Sequence, residues 1–64
     1  MLRQFTDTET LYFRSMGKAL RVTAIATSDT EANDHMARHS EATVIGVCGP
    51  FVLMADRFDK GIPI

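Results

Sequence analysis

The chain has 64 residues, 45% hydrophobic and 23% charged, with seven Lys and Arg against eight Asp and Glu for a formal net charge of −1. That balance is too apolar for a disordered chain and too near neutral for a strongly basic nucleic-acid binder or an acidic nucleic-acid mimic. Its one cysteine excludes an internal disulfide framework and a Cys-rich zinc module.

One small domain is expected, burying only about 60% of the surface that its unfolded form exposes. Met1-Leu2-Arg3-Gln4-Phe5-Thr6-Asp7 lacks the apolar stretch of a signal peptide, and no apolar run approaches the roughly 20 residues of a membrane span. The cytoplasm is therefore the expected compartment. Residues 1–19 admit two readings. Thr6-Asp7-Thr8-Glu9 has the spacing of a capping box and would open a helix that ends at Gly17. Alternatively, Thr10-Leu11-Tyr12-Phe13-Arg14-Ser15 is an extra strand, which its aromatic pair and threonine favour slightly. A third possibility takes Met16 as the natural start and residues 1–15 as upstream sequence.

Leu20 through Thr27 alternate with period two and carry β-branched residues, which predicts a strand. Ser28-Asp29-Thr30-Glu31 then matches a capping box, with the Ser28 hydroxyl accepting from the Glu31 amide and the Glu31 carboxylate reaching back to the Ser28 amide. Asp29 and Glu31 also put negative charge at the positive end of the helix dipole. The predicted helix runs to about His39 or Ser40 on a thin stripe of Ala32, Met36 and Ala37, small enough for close packing on a sheet.

Residues 42–57 read as a hairpin. Thr43–Cys48 and Phe51–Asp56 are strand-like runs joined by Gly49-Pro50, which suits a type II′ turn. A two-residue loop pairs Cys48 with Phe51, Val47 with Val52, Gly46 with Leu53 and Ile45 with Met54. One face then carries Val44, Gly46, Cys48, Phe51, Leu53 and Ala55, and the other Ile45, Val47, Val52 and Met54. Both are apolar, and one helix covers one face. The N-terminal segment or a second copy of the chain must cover the other. The expected class is α+β, a small β-α-β-β core over residues 20–58 with one helix on a mostly antiparallel sheet, an extra N-terminal strand or helix within 1–19, and a short tail at 59–64.

Few residues form chemical constellations. Glu31, His35 and His39 fall at i, i+4 and i+8, a stripe that can hold a transition ion, but Met36 stands where the zinc-protease pattern places its general base. A solvated stripe is the expectation, with no metal and no cofactor. Cys48 is expected to be a small buried hydrophobe rather than a nucleophile. Asp56 and Asp59 alternate with Arg57 and Lys60 around Phe58, as in a solvated hairpin exit with local ion pairs. Phe58 is the residue expected to matter there, either as core or as a contact anchor. Arg14, Lys18 and Arg21, if they converge near one turn with Tyr12 and Phe13 interleaved, make a minimal nucleic-acid patch, against which stand Asp7 and Glu9 close by in sequence.

The run from Thr27 to Met36, followed by Ala42-Thr43-Val44-Ile45-Gly46 and by Gly49 through Gly61, resembles short accessory proteins carried on bacterial plasmids, phages and integrated elements. The resemblance spans roughly residues 20–61 and brings no catalytic residue with it. It implies accessory-gene company in bacteria. The expected function is a non-enzymatic protein-interaction module, homodimeric and touching another protein, with Ile45, Val47, Val52, Met54 and Phe58 at the interface. The alternative is a nucleic-acid-binding accessory factor using Arg14, Lys18 and Arg21, and a metal- or thiol-dependent enzyme around His35, His39 and Cys48 is less favoured.

Overall fold

The computed structural model describes residues 2–6 and 8–64, and Met1 and Asp7 lie outside the described residues. In chain order the elements are β1 (Arg3–Gln4), β2 (Tyr12–Ser15), β3 (Lys18–Arg21), β4 (Ala24–Ala26), α1 (Asp29–Arg38), β5 (Ala42–Cys48), β6 (Phe51–Asp56) and β7 (Ile62–Pro63). They form an α+β fold with two antiparallel sheets. The larger has the order β1-β4-β6-β5 and the smaller β2-β3-β7. The β4-α1-β5 connection therefore steps over β6, which pairs antiparallel with both of its neighbours.

The helix starts where its cap dictates. Ser28 is extended, with φ −156°, and its hydroxyl accepts from the Glu31 amide at 3.2 Å. The Glu31 carboxylate reaches one residue further back than the capping box predicts. It accepts from the Thr27 amide at 2.8 Å and from the Thr27 hydroxyl at 2.6 Å. Ala32 packs on Ala24, Ala26, Val52 and Met54, with Leu2 and Met36 at the margin of this cluster. Alanines on both sides let the helix backbone approach the sheet closely.

The predicted strand at 20–27 is two strands in two sheets. Val22 donates its amide to the Leu11 carbonyl at 2.8 Å, and the next residue, Thr23, donates to the Met54 carbonyl at 2.8 Å. Consecutive amides thus bond in opposite directions, one to the residue that precedes β2 and the next to β6, and the fully buried Val22 sits where the chain crosses between the sheets. Of the two N-terminal readings, the strand is present over residues 12–15. One of the two capping-box bonds at Thr6 forms as well, with Glu9 Oε1 accepting from the Thr6 amide at 3.2 Å, while the Glu9 amide donates to the Thr6 carbonyl at 3.1 Å rather than to its hydroxyl, and no helix follows among the described residues. The Arg21 guanidinium binds the Thr6 and Glu9 carbonyls instead, at 3.2 and 3.4 Å, using acceptors that a helix would need. The expected tail at 59–64 contributes β7, which pairs with β3 at Ala19↔Ile62 and Lys18↔Pro63.

The predicted hairpin pairs Cys48↔Phe51, Val47↔Val52 and Gly46↔Leu53 are present, and Gly49 has φ +60° at the turn. The register then shifts. Met54 faces Val44 rather than Ile45, so Ile45 is the extra residue of a β-bulge. Val44 consequently changes faces and joins Val52 and Met54 on the helix side.

Candidate functional site

Pairing fixes which side chains share a face. On the side away from α1, Ile25 is paired with Leu53, and Gly46 is also paired with Leu53. The β2–β3 hairpin covers this face through Phe13, whose ring tip lies 2.7 Å from where a Cβ on Gly46 would stand. Only glycine leaves room for the ring. The N-terminal segment therefore supplies the cover that the two-sided hairpin requires, but it does so incompletely. An apolar groove of about 320 Å³ remains between the sheets, lined by Leu11, Phe13, Val22, Ile25 and Leu53, with Tyr12, Cys48 and Phe51 at its mouth.

The Cys48 thiol is exposed at the hairpin tip, not buried as expected, because the strand runs beyond the part of the sheet that the second layer covers. Phe51, beside it, is 45% exposed. Neither an acid–base partner nor an unoccupied anion cradle accompanies the thiol among the groove's lining residues.

The predicted interface set separates. Val52 and Met54 are 6% and 0% exposed beneath α1, so they present nothing to a second molecule. Ile45 is half-buried at the bulge. Val47 is 65% exposed and Phe58 is 69% exposed, the latter with the Arg57 guanidinium 4.8 Å over its ring. Val47 is on the helix side of the sheet but lies beyond the helix.

The basic set also separates. Cross-strand partners share a face, and the pairs Tyr12↔Arg21 and Arg14↔Ala19 alternate with Phe13↔Leu20 and Ser15↔Lys18. Arg14 and Lys18 thus project from opposite faces of the hairpin. Arg21 is already holding the Thr6 and Glu9 carbonyls.

A second, more polar cleft of about 390 Å³ lies between β1 and α1, lined by Gln4, Glu31, Asp34, His35, Arg38 and His39. His35 is buried at 7% exposure, not solvated as the stripe predicted. Burial holds its pKa below the usual histidine value, and the nearby His39, with ring centroids 4.5 Å apart, lowers it further. His39 Nδ1 is 3.6 Å from Glu41. Glu31, the third member of the stripe, is turned toward Thr27, whose hydroxyl and amide pull its carboxyl down to about 2. Among the described residues, no group of three His, Cys, Asp or Glu side chains is placed to hold a metal ion. Asp56 and Asp59 act as turn acceptors, taking the amides of Phe58 at 2.9 Å and Gly61 at 2.8 Å.

No helix among the described residues is long and apolar enough to cross a membrane. Comparisons with protein-family models, with curated proteins and with solved structures give no match. Cys48 lies both at the mouth of the apolar groove and at the end of β5, an outer strand of the larger sheet.

Proposed function

We propose that this chain is a non-enzymatic protein-interaction module, working as a homodimer and contacting a second protein through the apolar groove, in an accessory role of the kind that the resemblance over residues 20–61 implies. One observation carries the reading. Four of the eight buried hydrophobic residues are alanines, whereas nine large apolar residues are exposed among the described residues. Alanine makes up half of this core, and many of the large apolar side chains lie outside it. Fully burying a Val, Leu or Phe side chain contributes about 1.5–3 kcal/mol. A domain of this length has a total stability of about 3–10 kcal/mol. Exposure on this scale is large against that margin, and a partner surface removes it.

The nucleic-acid alternative has less support, since Arg14 and Lys18 diverge and Arg21 is engaged within the fold. Sedimentation equilibrium at tens of micromolar tests the homodimer. A mass twice the 7.1 kDa of the chain is expected, and a monomer overturns it.

A further inference from the structure

The two sheets have four outer edges. The β1 edge is two residues long, the β7 edge is two residues ending on Pro63, and the β2 edge carries Arg14. Shortness, proline and charge are the features by which natural sheets discourage further pairing. The β5 edge is the exception. Its seven residues, Ala42–Cys48, make it the longest strand of the fold, with no charged residue and no proline. Its one guard is the bulge at Ile45, which leaves Gly46–Cys48 as a regular run at the open end.

The hairpin geometry gives the direction of the polar groups on that run. In a two-residue loop the flanking pair, here Cys48 and Phe51, exchanges hydrogen bonds, and the next pair does not. The Val47 amide and carbonyl therefore point away from β6, out of the sheet. Val47 also presents an exposed apolar side chain on the helix side, and Cys48 and Phe51 lie exposed on the other side. A strand docking here gains main-chain bonds and apolar contact on both faces.

We infer that this edge pairs with the same edge of a second copy, antiparallel about a two-fold axis at Val47, so that the Val47 amide of each chain donates to the Val47 carbonyl of the other. The inference rests on the homodimer proposed above and assigns its surface. The chemistry of the run favours a second copy over a charged foreign strand, and the exposed area of the chain leaves surface for such a partner to cover. The run Gly46–Cys48 has no charge with which to read a charged peptide, and self-pairing brings no like charges together. The chain also exposes 4553 Å², whereas a folded monomer of this mass averages about 4,100 Å². The excess is about half of the roughly 800 Å² that each partner contributes to a standard interface. Two-fold pairing presents the same patch to itself, as closed dimers require.

A residue on a two-fold axis faces its own copy, and that permits a test which a merely nearby residue fails. In wild-type protein, sedimentation equilibrium should give a dimer, and amide exchange at Val47 should slow as the protein is concentrated. V47K and V47E should each weaken association by about a hundredfold, because like charges then meet across the axis. An equimolar mixture of the two should restore it as a heterodimer. Circular dichroism of each variant checks folding, which the exposed position should leave unchanged.

A wild-type monomer overturns both the homodimer and this assignment. A wild-type dimer that persists in V47K and V47E leaves the homodimer standing and overturns the edge. So does a mixture that stays monomeric, or a Val47 amide whose exchange ignores concentration.

Discussion

Replacing Gly46 with Ala tests how the two sheets are joined. A Cβ at this position meets three atoms of the Phe13 ring, at 2.7, 3.0 and 3.2 Å. Real Cβ atoms essentially never come as close as the first. The ring must move, and it is the group that carries the β2–β3 hairpin onto the larger sheet. Inserting a methyl into such a contact costs about 1–3 kcal/mol. Alanine offsets part of this, since glycine in a strand loses about 0.5–1 kcal/mol more backbone entropy on folding, but the clash is the larger effect. With the net cost taken as about 1–2 kcal/mol, at about 4–8 °C per kcal/mol in a domain of this length, the melting temperature should fall by about 4–16 °C. Thermal unfolding followed by circular dichroism measures it. F13L in the G46A background should recover part of the loss, because leucine has no ring tip to place there. An unchanged or raised melting temperature for G46A, or two costs that simply add, would refute the contact as the joint between the sheets.

Met16 has φ +52° in the β2–β3 turn and is 97% exposed; the left-handed conformation costs a non-glycine residue roughly 1–2 kcal/mol, so M16N should raise the melting temperature by several degrees, and no rise would argue against strain there. S28A should lose about 0.5–2 kcal/mol through the helix cap, read by urea unfolding. Glu31 is held at about 2 from an ordinary value of 4.5, so its contribution is present above 4.5 and lost as the pH falls toward 2; E31Q should flatten the stability profile in that window. His35 runs the same way at higher pH: its lowered pKa means that its contribution is complete above the unfolded value of about 6.5 and declines as the pH falls below it. H35Q should remove that decline, and a profile unchanged by the substitution would place the titration elsewhere.

How much of this was legible in the sequence depended on whether a signal was local. The helix was, because Ser28 and Glu31 lie within one turn and their hydrogen bonds need no other element. The Gly49-Pro50 turn was as well, and with it the first three hairpin pairs. The bulge was not, since nothing in Thr43-Val44-Ile45-Gly46 distinguishes an inserted residue from a regular one, and one unseen insertion put Val44 on the wrong face. The break at Val22-Thr23 was hidden for a similar reason. Alternation continues smoothly through residues that bond to different sheets, because both sites ask for a β-branched side chain. His35 looked solvated because its burial, to 7% exposure, depends on tertiary packing that the stripe alone does not encode. Gly46 was the overlooked signal for the groove. A glycine within an otherwise β-branched strand marks close approach by something else, and Tyr12-Phe13 was the aromatic pair available to make it.

The place of β6 between β4 and β5 sets an order on assembly. β6 follows both neighbours in the chain yet separates them in the sheet. During synthesis β4 emerges early and finds no partner on that side until Phe51–Asp56 has appeared. The β5–β6 hairpin closes through a two-residue loop and needs no distant contact, so it is the natural first structure. β4, carrying the helix behind it, then docks onto a preformed ribbon. Mutations that slow hairpin closure should lower the folding rate of the whole molecule, whereas changes in β7, whose pairing with β3 spans most of the chain, should act chiefly on unfolding.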